Sequence, residues 1–154
     1  MKIEVVFIPN SIASSDLAGR TVVVVDILRA TTTIAVALSN GAKAVLPAAS
    51  TEEALRIAQN LERDAVVLAG ERRSVRIPGF ALGNSPAEFG AEAVAGKTIV
   101  MTTTNGTQAL IAAQGAREVI RPPLEREPAL HLGEQPLLPL PDRPIGEAAL
   151  GRHR

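Results

Sequence analysis

The chain contains no cysteine, no tryptophan and no tyrosine, and only three phenylalanines. Without thiols it has no disulfide, no thiolate nucleophile and no Cys-held zinc or iron–sulfur cluster. Aromatics this scarce leave no stacking platform for bases. Sixteen basic side chains balance sixteen acidic ones, so no net field draws the chain to nucleic acid or an anionic membrane. Neither the opening "MKIEVVFIPN" nor any later stretch reaches the roughly 18 apolar residues of a membrane span. The expectation is a soluble, cytoplasmic protein with no nucleic-acid or membrane partner. Its 154 residues suffice for one domain, and a chain of this size buries roughly 70% of its unfolded surface.

What is present alternates. "IEVVFI" (3–8) reads as a strand, and "TVVVVD" (21–26) as a fully buried one, because it is β-branched and continuous. "TTIAVALSNG" (32–41) reads as a short helix stopped by Gly41, after which "KAVLPA" resumes as a strand. Ser50 and Glu53 have capping-box spacing ahead of a helix whose apolar face is Ala54, Leu55, Ile57, Ala58 and Leu61. "AVVLAG" (65–70) is a strand. Ser85-Pro86 with Glu88 opens another helix, "KTIVMT" (97–102) is a strand, "GTQALIAAQGA" (106–116) a helix, and "REVI" (117–120) begins a last strand. This order predicts an α/β fold of three layers, α/β/α, around a mainly parallel sheet with right-handed crossovers. After Ile120 the pattern stops, and residues 121–154 hold seven of the eleven prolines. That segment is expected to be a poorly ordered Pro/Arg-rich tail. It reads either as a natural tail or as a stretch never selected to continue the fold, as after a shifted reading frame.

Ligands of open parallel sheets sit beyond the carboxyl ends of the strands. Three strand ends here lead into polar loops: Asp26, Arg29 and Thr31, Thr32 and Thr33; Gly70, Glu71, Arg72 and Arg73; and "TTTNG", residues 102–106. Carboxylates at 26 and 71 are the oxygen ligands Mg²⁺ prefers, and Arg29 and Arg72 offer planar forks for phosphate, sulfonate or carboxylate. Each piece also has a plainer reading. Asp26 can cap a strand end, Arg29 can pair with Asp26, and the threonines can start a helix. Arg73 and Arg76 can be solvated, and Asn105-Gly106 is a common turn pair. The convergence of three strand ends favours a site.

Elimination narrows the chemistry. The two histidines, His131 and His153, lie in the tail, and "DILRA" lacks the second Asp of haloacid-dehalogenase-type phosphatases. Neither a phosphate-binding "GxxxxGK[ST]" nor a "GxGxxG" after the first strands occurs. A carboxylate-held metal with arginine clamps remains, which suits phosphate-ester hydrolysis. A phospho-acceptor role for Asp26 is the weaker alternative, since the acidic pair and late lysine it needs are not evident.

"VVVDILRATTTI", "LAGERRSVRIPGFALGNSPAEF" and "MTTTNGTQAL" together resemble the 2-phosphosulfolactate phosphatase family, over about residues 1–120. The resemblance implies an Mg²⁺-dependent α/β enzyme that releases phosphate from 2-phosphosulfolactate, a step toward coenzyme M. It places Asp26, Arg29 and Thr31 to Thr33 in the first motif. Gly70, Glu71 and Arg72, then Gly83, Asn84 and Ser85, fall in the second, and Thr103, Thr104, Asn105 and Gly106 in the third. Within them, Asp26 and Glu71 are expected as metal ligands, Arg29 and Arg72 as anion clamps, and Asn84 and Thr104 as orienting donors. A metal-activated water is the expected nucleophile, with attack by Asp26 as the variant. Members of the family continue with further strands and helices where this chain has its tail, so a truncated, non-catalytic anion-binding remnant is the alternative. An incomplete sheet would favour aggregation or pairing into a homodimer.

Overall fold

The five residues of β5 (Thr98–Thr102) organise the sheet, because Ile99, Val100 and Met101 have no exposure on either face. β2 (Ala44–Pro47) and β3 (Val66–Arg72) flank it in parallel, with Ala44 and Val66 both in register with Thr98. A two-residue strand, β4 (Val75–Arg76), folds back antiparallel on β3, giving the order β2-β5-β3-β4. β1 (Thr21–Val23) and β6 (Glu118–Ile120) form a separate parallel pair, Val22 opposite Val119. The computed structural model describes residues 2–7 and 12–120, with the short antiparallel strands β7 (His131–Leu132) and β8 (Gln135–Pro136).

Successive side chains on a strand face opposite sides, so β5 feeds two cores. Ile99 and Met101 pack with Val45 and Ala69 against Ile34 and Leu38 of α1 (Ala30–Ser39), Val94 of α3 (Ala91–Val94) and Leu110 of α4 (Gly106–Ala112). Val100 instead joins Ile77 and Phe80 beneath Ala54, Ile57 and Ala58 of α2 (Thr51–Gln59). Helices thus cover the sheet from both sides, and the fold is the expected α/β architecture with a mainly parallel sheet.

Three local expectations need correction. Residues 3–7 form no strand, and Ile3, Val5 and Phe7 are exposed; residue 8 lies outside the described residues. The run 21–26 is a strand only over 21–23 and is not buried throughout. Val24 is buried, while Val23 and Val25 are 55% and 60% exposed, because β1 pairs only with β6 and, among the described residues, nothing covers its second face. Leu55 is 43% exposed, since the core-facing stripe of α2 runs at 54, 57 and 58, continued past the helix by the half-buried Leu61, and position 55 is rotated off it. Ser50 does cap α2 by accepting the Glu53 N–H at 3.1 Å, although the Glu53 carboxylate accepts from Ala49 N–H and not from Ser50. The expectation for residues 121–154 falls outside the described residues, apart from the β7–β8 pairing.

Candidate active site

Val24 donates its N–H to Ile120 at 2.8 Å, the last ladder bond before the β1 chain turns away from its partner. Two residues on, the backbone carbonyl of Asp26 accepts both the N–H and the hydroxyl of Thr31, at 3.1 and 2.7 Å, which closes the loop into α1. The Thr32 hydroxyl donates to Ile27 and the buried Thr33 hydroxyl to the Asn84 carbonyl at 3.1 Å. All three threonine hydroxyls therefore bind backbone. They start the helix and tie it to the 83–85 loop, and none of them lines the cleft.

That loop is itself fixed. The Glu88 carboxylate accepts from Gly83 N–H at 2.8 Å and from Ser85 N–H at 3.3 Å, so Ser85 closes a capping box on the 3₁₀ turn Pro86–Glu88. At the end of β5 a second reciprocal arrangement forms. The Thr103 hydroxyl accepts the Thr107 N–H at 3.0 Å, and the Thr107 hydroxyl accepts the Thr103 N–H at 2.8 Å. Gly106 begins α4 in a place with no room for a methyl group. A Cβ there would collide with the Ala30 methyl and lie 2.5 Å from Asp26 Oδ2. A small residue at each position lets the Asp26 carboxylate sit against the start of α4.

These loops border an open cleft of about 260 Å³ lined by Asp26, Leu28, Arg29, Glu71, Arg73, Ser74, Asn84, Thr103, Thr104, Asn105 and Gly106. The structure thus brings the three predicted strand ends to one crevice, with Asp26 and Glu71 both on its wall. Their oxygens differ in freedom. Among the described residues, the Asp26 carboxylate has no hydrogen bond or ion pair. Glu71 is 6% exposed, and its Oε1 accepts Thr104 N–H at 2.7 Å while Oε2 accepts Ser74 N–H at 2.6 Å and the Thr104 hydroxyl at 3.0 Å. Thr104, expected as a substrate donor, therefore donates to Glu71. Asn84, at the cleft wall, is 7% exposed, and its Oδ1 is buried without a partner among the described residues.

Arg72, the expected clamp, is not in the cleft. Consecutive strand residues face opposite ways, so with Glu71 on the cleft side Arg72 emerges on the α2 side. There it donates to the Thr102 hydroxyl at 2.9 Å and to the Glu71 carbonyl at 3.0 Å. Of the two neighbours it is Arg73 that borders the cleft, together with Arg29, while remaining solvent-exposed as the sequence reading allowed. Arg73 and Ser74 form the two-residue turn between β3 and β4, with φ of 52° and 65°. Such a turn favours Asn-Gly, and each non-glycine residue in left-handed backbone costs on the order of 1 kcal/mol. The missing Asn-Gly signal is why the hairpin, and with it Arg73, could not be read from the sequence.

Burial alone would raise the Glu71 pKa. The backbone N–H groups of Thr104 and Ser74, the Thr104 hydroxyl and the Arg72 guanidinium outweigh it and hold the group below the ordinary glutamate value of 4.5. A folded-state pKa below the unfolded one means that the unfolded chain takes up the proton more readily. The Glu71 contribution is therefore complete above pH 4.5 and is lost as the pH falls through the lower folded value. Thermal melts of wild type and Glu71→Gln are expected to differ at pH 7 and to converge under acid. A gap that stays constant on acidification would show that the charge contributes nothing.

Comparison with known proteins gives the chain's relatives. A family described as 2-phosphosulpholactate phosphatase matches residues 6–122. A probable 2-phosphosulfolactate phosphatase of Caldanaerobacter subterraneus subsp. tengcongensis is 54% identical over 111 residues, covering 72% of this chain and 46% of the relative. A protein of the same name from Symbiobacterium thermophilum is 48% identical over 117 residues (76% and 50%), and one from Clostridium beijerinckii 45% over 119 (77% and 50%). The chain spans about half the length of the curated relatives it matches.

Proposed function

The chain belongs to the 2-phosphosulfolactate phosphatase family, and from that premise we propose that its cleft is the phosphoester-binding part of an Mg²⁺-dependent phosphatase acting on 2-phosphosulfolactate. The observation that carries this reading is the pairing of two arginines, Arg29 and Arg73, with one uncommitted carboxylate, Asp26, around a single crevice. A substrate with phosphate, sulfonate and carboxylate groups calls for more than one guanidinium fork, and arginine matches each of these groups in plane.

The residues present fit a hard divalent cation. Mg²⁺ takes oxygen ligands, keeps several waters and is often held by one or two carboxylates plus substrate phosphate. Asp26 supplies a free carboxylate, and the unpartnered Oδ1 of Asn84 a second oxygen. Among the described residues no group of three or more acidic, His or Cys side chains gathers. Bound there, Mg²⁺ would neutralise phosphoryl oxygens and acidify a coordinated water. Glu71 is the less available of the two carboxylates, because it is nearly buried and its oxygens already accept three protein donors. Arg29 and Arg73 hold and orient the anionic groups, while Asn105, exposed at the cleft wall, offers an amide donor.

Phosphate release from 2-phosphosulfolactate with and without Mg²⁺ is the direct test, and Mg²⁺-dependent turnover is the expected result. A second reading is a non-catalytic anion-binding domain, since two arginines bordering one cleft suffice to hold an anion without turnover. Inorganic phosphate uptake in a calorimeter without any turnover would select it. Absence of both phosphate binding and turnover would remove the cleft from either reading.

A further inference from the structure

Beyond the β3–β4 ladder that flanks it, the Arg73–Ser74 turn is braced from below by one side chain. Two adjacent non-glycine residues in left-handed backbone carry strain that the flanking β3–β4 pairing must hold. Their amides, however, are both engaged. Ser74 N–H donates to Glu71 Oε2, and Arg73 N–H donates to the Thr104 hydroxyl at 3.2 Å, which in turn donates to the same Glu71 oxygen. Thr104 N–H occupies the other Glu71 oxygen, so the turn is joined to the loop after β5 through one nearly buried carboxylate.

We infer that Glu71 is a positioning residue, whose carboxylate fixes the strained Arg73–Ser74 turn and thereby holds the Arg73 guanidinium in the anion cleft. This rests on the reading of the cleft as an anion site, and it assigns Glu71 a task different from holding a metal. The two assignments part on a simple point. A metal ligand cannot be replaced by a more flexible backbone elsewhere, whereas a clamp on left-handed backbone becomes dispensable once that backbone is at ease. Glycine adopts positive φ without strain, so Ser74→Gly should make the turn self-sustaining.

The test is calorimetric titration of the full chain with inorganic phosphate, without divalent metal. Glu71→Gln is expected to weaken phosphate by about tenfold, the scale of losing one well-placed charge-assisted contact. Glu71→Gln/Ser74→Gly should recover to within about threefold of wild type. Arg73→Ala should weaken binding at least as much as Glu71→Gln, with no recovery from Ser74→Gly. Thr104→Val removes one donor to Glu71 and the acceptor for Arg73 N–H. It provides a milder variant, should Glu71→Gln unfold, and it too should be relieved by Ser74→Gly. Unchanged affinity in Glu71→Gln, or a loss that glycine does not relieve, overturns the positioning role while leaving the cleft reading intact. Failure of the wild-type chain to take up phosphate overturns the cleft reading and this inference with it.

Discussion

Asp26→Asn is expected to lower Mg²⁺-dependent phosphate release by roughly a hundredfold or more, the several kcal/mol that charge stabilisation by a bound cation supplies in such reactions. The expectation follows from where the free charge is. Of the two carboxylates on the cleft wall, Glu71 already accepts two backbone N–H groups and a hydroxyl, whereas Asp26 accepts nothing through its carboxylate among the described residues. Asparagine keeps the shape and removes the charge. It also leaves the backbone carbonyl that anchors Thr31 and starts α1, so stability should stay within about 0.5 kcal/mol. Two binding measurements sharpen the result. Mn²⁺ affinity should fall in parallel with activity, while phosphate affinity without metal should rise slightly, because a like charge has left the site. Retained Mn²⁺ affinity in Asp26→Asn would take Asp26 out of the cation site, whatever happened to turnover.

The same two carboxylates show how far the sequence could be read. That Asp26 follows the separate β1–β6 pair while Glu71 belongs to the four-stranded sheet was not legible. That the loops bearing them would meet at one rim was, because strand–helix alternation is a local signal and parallel topology gathers strand ends. The caps at Ser50 and Ser85 were legible for the same reason. What was hidden depends on partners far along the chain. Glu71 meets Thr104, 33 positions away, and only that meeting turns a free ligand into a bonded one. Thr33 reaches Asn84 across 51 positions, so a hydroxyl that looked available for substrate is not. The exchange of Arg72 for Arg73 hinged on a single residue of strand length. β3 runs through Arg72, and alternation then sends that side chain to the α2 face. The exposure of Val23 and Val25 has a similar cause, since a valine run is buried only if something covers both of its faces.

Gly70→Ala should be the most destabilising single-methyl substitution in the sheet, by about 3 kcal/mol or more, a large fraction of the stability of a domain this size. Gly70 pairs with Thr102 across β3 and β5, with φ of 156°. A Cβ at that position would fall on the Thr102 carbonyl oxygen, with the Thr102 carbonyl carbon and nitrogen both at 3.2 Å. The obstacle is backbone of the central strand, and Thr102 is fully buried, so no side chain can swing aside to make room. Nor is β3 free to retreat, because Gly70 N–H donates to Leu82 at 3.0 Å and its carbonyl accepts from Ile77 at 3.3 Å. Gly79→Ala is the matched control. Its φ is 83°, yet nothing lies within 4 Å of the added methyl, so it should show only the roughly 1 kcal/mol cost of left-handed backbone. Urea denaturation of the two variants then compares the close approach and unusual φ at Gly70 with ordinary left-handed strain at Gly79, and equal losses would show that packing at Gly70 is not the constraint. The site gives the comparison a second readout. Gly70 immediately precedes Glu71, so a strand pushed off β5 carries the carboxylate away from Thr104 and loosens the turn that bears Arg73. Under conditions where both variants remain folded, Gly70→Ala should therefore lose phosphate affinity and Gly79→Ala should keep it.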